Sequence, residues 1–169
     1  MFKVTLGIIL FLISSFIGYF YGESFKKRYL HLKEANKAII FLQNEVIFNT
    51  TPLPEALLIV GEKTTSPFKE VILESVKNLS DDGLYKAFKK AYLKKEEEFY
   101  FYKEDKNILE DFLKSLGSSY SYGQEKVFNL ALENLKINLQ EALELSKVNT
   151  KMYRYLGVCI GAMILIFII

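Results

Sequence analysis

The sequence has no tryptophan, one cysteine, one histidine and three prolines. Cys159 stands alone, which excludes an intrachain disulfide. It falls in an apolar run, where a small buried hydrophobe is its expected role. With His31 as the other scarce ligand, no His/Cys cluster exists to hold zinc, and no metal or cofactor site is expected. His31 lies between Leu30 and Leu32 and reads as a solvated residue on a helix face. The prolines are Pro52, Pro54 and Pro67, so residues 4–49 and 124–169 contain no proline to break a helix.

Charge is missing from two places. Residues 4–21 and 155–169 carry none, and all 20 acidic residues lie between them, as does every basic residue except Lys3. Residues 4–21 would rise about 27 Å as a helix, close to a bilayer core of roughly 30 Å. A cleaved signal peptide would end in a small-residue site. This stretch ends in Tyr19-Phe20-Tyr21, which suits an interfacial aromatic belt. The C-terminal stretch is shorter, and Arg154 can snorkel to extend it. The expected organisation is a transmembrane helix over residues 1–22, a helical domain over 23–153 and a second transmembrane helix over 154–169. Lysine and arginine flank both spans on the inner side of the sequence. The positive-inside rule then places the middle in the cytoplasm and both termini outside. Membrane lipid is an expected partner. The formal net charge is +2, near balance, so nucleic acid is not.

Apolar spacing points to helices throughout. Leu32, Ala35, Ile39, Leu42 and Val46 follow a heptad-type 3,4 spacing, as do Phe128, Leu132, Leu135, Leu139, Ala142 and Ser146. Each seam runs into an apolar end, which suggests two long antiparallel helices. Four shorter helices are expected between them. Thr51 reads as an N-cap with Pro52 at the first helical position, Pro54 at the third and Glu55 in the first turn. Gly61 reads as the C′ residue of that helix. Ser66-Pro67 repeats the device. Ser80 or Asp81 caps the next helix, Asp105 opens another and Gly117 ends it.

No catalytic constellation is visible. "GEKTTS" (residues 61–66) lacks the spacing of a phosphate loop and any preceding strand. Glu96-Glu97-Glu98 and Asp81-Asp82 are neighbours in sequence only, because adjacent helical residues do not face each other. The more informative residues are small. Ser14, Gly18 and Gly22 recur every fourth position in the first span, as do Gly157 and Gly161 in the second. Such faces let helix backbones approach in lipid. The sequence leaves open whether they pair within the chain or between copies in a homo-oligomer.

Three stretches carry a family resemblance: "LQNEVIFNTTPLPEAL", "FLKSLGSSYSYGQEKVFNLAL" and the C-terminal "YRYLGVCIGAMILIFII". In order and position they resemble the stage III sporulation protein AB family. More remotely they are similar to the cytoplasmic domain of type II secretion F platform proteins. Where that pattern usually has Ser-Asp after Leu116-Gly117, this chain has Ser118-Ser119, which weakens a specific acidic role there. The resemblance implies an all-α, six-helix bundle of the type II secretion F kind, its two long helices extending into N- and C-terminal transmembrane spans. It implies a non-enzymatic platform in the mother-cell membrane, within the channel linking mother cell and forespore. The implied partners are a cytoplasmic secretion-type ATPase and other membrane subunits of that channel. An inner-membrane platform of another secretion or pilus system is the alternative. The corner after the first long helix is the expected contact surface. Thr51, Pro52, Pro54 and Glu55 would be presented there, and Leu53 would turn inward with Ala56, Leu57 and Val60.

Overall fold

The computed structural model describes residues 2–118 and 123–168, and among these the chain is helical with no strand. The helices are α1 (Phe2–Gln43), α2 (Leu53–Lys63), α3 (Phe68–Lys77), α4 (Leu79–Asp82), α5 (Leu84–Leu93), α6 (Lys103–Ser118) and α7 (Gln124–Ile168). The all-α class and the two long apolar terminal helices match the sequence-based reading. The additional element is the one-turn α4. Asp81 lies inside it rather than capping α5, and Gly83 supplies that cap at φ 73°. A left-handed φ favours glycine because it has no β-carbon to clash. Residues 119–122 of the Leu-Gly turn motif, Ser119 among them, lie outside the described residues.

The chain divides into two compact units, Met1–Tyr29 with Gln140–Ile169, and Leu30–Leu139. In the second unit the expected seam of α1 is the core. Leu32, Ala35, Ile39 and Leu42 are buried, and Val46 is half-buried. On α7 the buried line is Phe128, Ala131 and Leu135, whereas Leu132 and Leu139 flank it half-exposed. Phe112 of α6 packs its ring 5.3 Å from that of Phe128. The two long helices run antiparallel within this unit, with the Gln43 amide donating to Asn129 Oδ1 at 3.1 Å.

Several punctuation residues have other tasks than their sequence positions suggest. Gly61 lies inside α2, buried, and a β-carbon there would sit 2.7 Å from Leu73 Cδ2. It is small so that α3 can approach. Thr64 ends α2 instead, its hydroxyl donating to the Gly61 carbonyl at 3.0 Å. Gly117 is likewise within α6. Asp105 is the third residue of α6, not its opening. Fully buried, its carboxylate accepts the Tyr102 N–H at 2.9 Å and the Asn138 amide at 2.8 Å, tying α6 to α7. His31 is not a solvated surface residue. It is half-buried, and its Nδ1 accepts the Tyr100 N–H at 3.2 Å. Its ring packs edge-on to Phe99 and Phe101, which stack at 5.5 Å beside Phe68. The link from the 3₁₀ turn Glu96–Glu98 to α6 is thus an aromatic junction anchored on α1.

In the other unit α1 and α7 pack antiparallel along their apolar lengths. Outward they present Ile8, Ile9, Phe16, Ile17, Val158 and Met163 to their surroundings. Both helices are long and apolar enough to cross a membrane. A water-exposed apolar surface of this extent is rare on soluble monomers.

The core assignment gives a direct expectation. Phe128→Ala should destabilise the protein by about 3–5 kcal/mol. Ile137→Ala, at a position 65% exposed, should stay within about 0.5 kcal/mol of wild type. Denaturation of the full-length protein in mild detergent, followed by circular dichroism, separates the two. Equal effects would contradict this placement of the core.

Candidate functional site

Helix α1 does not end in an ordinary α-turn. The residues that follow it, Asn44–Phe48, form a single π-turn closed by the Asn49 N–H donating to the Asn44 carbonyl at 3.0 Å. Single π-turns are uncommon and concentrate at functional sites. Thr50 follows at φ 52°, the one non-glycine residue with a positive φ among those described. A β-branched residue in that region carries strain, roughly 1–3 kcal/mol. Hydrogen bonds on both sides hold it there, since the Thr51 N–H also donates to the Glu45 carbonyl at 2.9 Å.

Glu45 organises the corner. It is buried, and its carboxylate accepts from Asn49 Nδ2 at 2.9 Å, from Lys63 Nζ at 3.3 Å and from Thr51 Oγ1 at 3.4 Å. The Asn49 amide, with Lys63 after it, holds the Glu45 carboxyl below the ordinary range. Thr51 is therefore not the N-cap of α2. Its N–H and hydroxyl are both directed to Glu45, and it closes the turn behind it. Pro52 takes the cap position at φ −55° and ψ 139°, and α2 begins at Leu53 with Pro54 next. The prolines need no donor there, and their fixed φ pre-sets the turn.

The exposed side of this corner is Pro52, Pro54 and Glu55, with Thr51 half-buried. Leu53 is half-buried as well, while Ala56, Leu57 and Val60 form the buried face of α2. Leu53 therefore edges the core without joining it. The residue that sequence reasoning passed over is Phe48, which is 73% exposed. Its signal was available: Phe48 falls off the Leu42–Val46 seam and immediately precedes the Asn-Thr-Thr-Pro turn. A large aromatic on a strained, clamped turn has a fixed position from which to enter a partner's pocket.

The other residues singled out by spacing are in the apolar unit. A β-carbon on Gly18 would lie 2.6 Å from the Tyr153 carbonyl oxygen and 2.8 Å from Gly157 Cα. One on Gly157 would meet Gly18 Cα and the Ser14 oxygen, each at 2.9 Å. Gly22 faces Thr150, and Gly161 faces Phe11. The Ser14 hydroxyl donates to the Gly157 carbonyl at 2.9 Å, and the Thr150 hydroxyl to that of Gly22 at 3.1 Å. At the end of this contact Arg154 donates to Glu23 at 2.7 Å, with its guanidinium 4.5 Å from the Tyr19 ring centre.

With this geometry the comparison with known proteins is unambiguous at the level of family. The sequence profile of stage III sporulation protein AB matches residues 3–169. The chain belongs to that family. Stage III sporulation protein AB of Bacillus subtilis (strain 168) is 20% identical over 170 residues, which is 99% of each chain. A solved structure of stage III sporulation protein AB (SpoIIIAB) superimposes with a TM-score of 0.65 at 20% identity. It covers 71% of this chain and 96% of its own. That likeness speaks for the fold of the family.

The carboxylates of Glu45, of Glu74 beside Lys94 and Lys77, and of Glu110 beside Tyr85 and Lys114 are all held below the ordinary value of 4.5. A carboxyl lowered by folding stabilises the native state above its unfolded pKa. That stabilisation is lost as pH falls through the folded one. The melting temperature should therefore drop as pH falls below about 4.5. Glu45→Gln should melt lower than wild type at pH 7 and lose less on acidification, because one of the three groups is gone. Thermal melts across pH 3–7 test this, and a Glu45→Gln protein with the wild-type melting temperature at pH 7 would remove Glu45 as organiser of the corner.

Proposed function

We infer that this chain is a non-enzymatic membrane platform or coupling subunit of the sporulation channel between mother cell and forespore. It engages a cytoplasmic secretion-type ATPase through the corner that follows α1. Family membership supports the sporulation setting over the other secretion and pilus systems that resemble it. The observation that carries the docking reading is the exposed Phe48 at the end of a π-turn that Glu45 clamps, two residues before the strained Thr50. Backbone strain of this kind persists where a site needs one conformation held in advance.

A non-enzymatic role is supported by what the side chains are occupied with. His31 gives its Nδ1 to a backbone N–H, and Asp105 gives its carboxylate to Tyr102 and Asn138. Both are tied to structural bonds. In this reading the middle unit faces the cytoplasm and the paired apolar helices anchor it. Thr51, Pro52, Pro54 and Glu55 frame the contact around Phe48. Helices α1 and α7 belong to both units, so a load applied at the corner has a continuous helix along which to pass.

Co-purification with a candidate secretion-type ATPase tests the reading. Phe48→Ala and Glu55→Ala should each weaken capture at least about tenfold, as loss of an interface anchor does. Their melting temperatures should stay at wild type, as for exposed positions generally. Undiminished capture by both variants would place the contact elsewhere.

A further inference from the structure

The segments bordering the apolar part of the α1–α7 pair, residues 23–29 and 140–154, carry six basic and three acidic side chains. Two of the acids are engaged: Glu23 holds Arg154 and Lys26, and Glu141 holds Arg28, which is 3% exposed. Lys147 and Lys151 differ from these arginines. Both are exposed, and no ion pair holds either among the described residues. Four residues apart, they share one helix face. Beside them run Val148, Met152 and Tyr155, exposed by 64%, 40% and 71%.

This mixture has one comfortable environment. In water the apolar stripe would stay exposed, and in hydrocarbon the two ammonium groups would be unsolvated. The headgroup layer satisfies both, with apolar side chains at the acyl margin and lysine tips among the phosphates. The helix register agrees. Thr150 faces Gly22, so Lys151 stands level with the end of the charge-free stretch of α1. Tyr155 sits one turn further in, where aromatic belts lie.

We propose that Lys147 and Lys151 form a docking site for the phosphate headgroups of anionic phospholipid. The chemistry selects a net anion. A zwitterionic headgroup brings its own ammonium into a collar that already has more cations than acids, whereas an anionic one relieves the excess. The site recruits such lipid around the protein and fixes the depth of α7. It rests on the reading of the helix pair as membrane-inserted.

The test uses the full-length protein in nanodiscs with spin-labelled phosphatidylglycerol or phosphatidylcholine. Electron paramagnetic resonance reads the motionally restricted fraction of each. Wild type should restrict phosphatidylglycerol preferentially, and the preference should shrink with added salt. The double variant Lys147→Gln/Lys151→Gln should lose it, by up to about fivefold per lysine, the factor given by roughly 1 kcal/mol per cation at an anionic surface. Lys86→Gln, an exposed lysine of the other unit, should keep it. Equal restriction of the two lipids by wild type would overturn the site, and so would an undiminished preference in the double variant. Alkaline carbonate extraction of native membranes runs in parallel. Release of the wild-type protein would refute insertion itself, whereas retention with equal lipid restriction refutes only the headgroup site.

Discussion

Where Gly18 meets Gly157, two helix backbones come so close that neither position has room for a β-carbon. Much else in the apolar unit depends on that approach. In lipid no hydrophobic effect draws helices together, so association relies on backbone packing and interhelical hydrogen bonds. Close contact lets the Ser14 and Thr150 hydroxyls reach carbonyls on the opposite helix. It also sets the register that brings Arg154 within 2.7 Å of Glu23 and packs Tyr153 against Tyr21 and Phe25. A longer side chain at either glycine would displace all of these contacts together.

The unit from Leu30 to Leu139 is organised by the opposite physics. There the driving force is removal of Leu32, Ile39, Leu42, Phe128 and Leu135 from water. The polar groups that enter this unit are tied down one by one. Asp105 and Glu45 stand where the chain passes from one helix to another, and His31, inside α1, holds the Tyr100 N–H of such a link. The same two helices therefore carry two kinds of contact. The glycines of these helices, Gly7, Gly18, Gly22, Gly157 and Gly161, all lie in the unit where backbone meets backbone.

Much of this was legible in the primary structure. Two charge-free ends, two proline-free seams and a proline-bracketed corner are local patterns, and local patterns survive folding. The family resemblance rested on the same segments. What was not legible depended on long-range partners. Thr51 has the chemistry of an N-cap, but Glu45 competes for both its donors. Gly61 has the position of a helix stop, but Leu73 requires it to be small. His31 looks solvated until Tyr100, 69 residues later, presents an N–H to its ring. Phe48 was the near miss, since its departure from the seam was visible and only its exposure was not.

The central claim is that the glycine-faced helices pair within one chain, with Tyr21 against Tyr153. Replacing both with cysteine in a Cys159→Ser background puts two thiols at neighbouring positions of the paired helices, whose rings now meet at 4.6 Å. After mild oxidation in native membranes, non-reducing electrophoresis and mass spectrometry identify the product. The account predicts a monomer carrying an internal disulfide. A disulfide-linked dimer with no internal bond would mean that these faces join separate copies, and would contradict the hairpin on which the account is built.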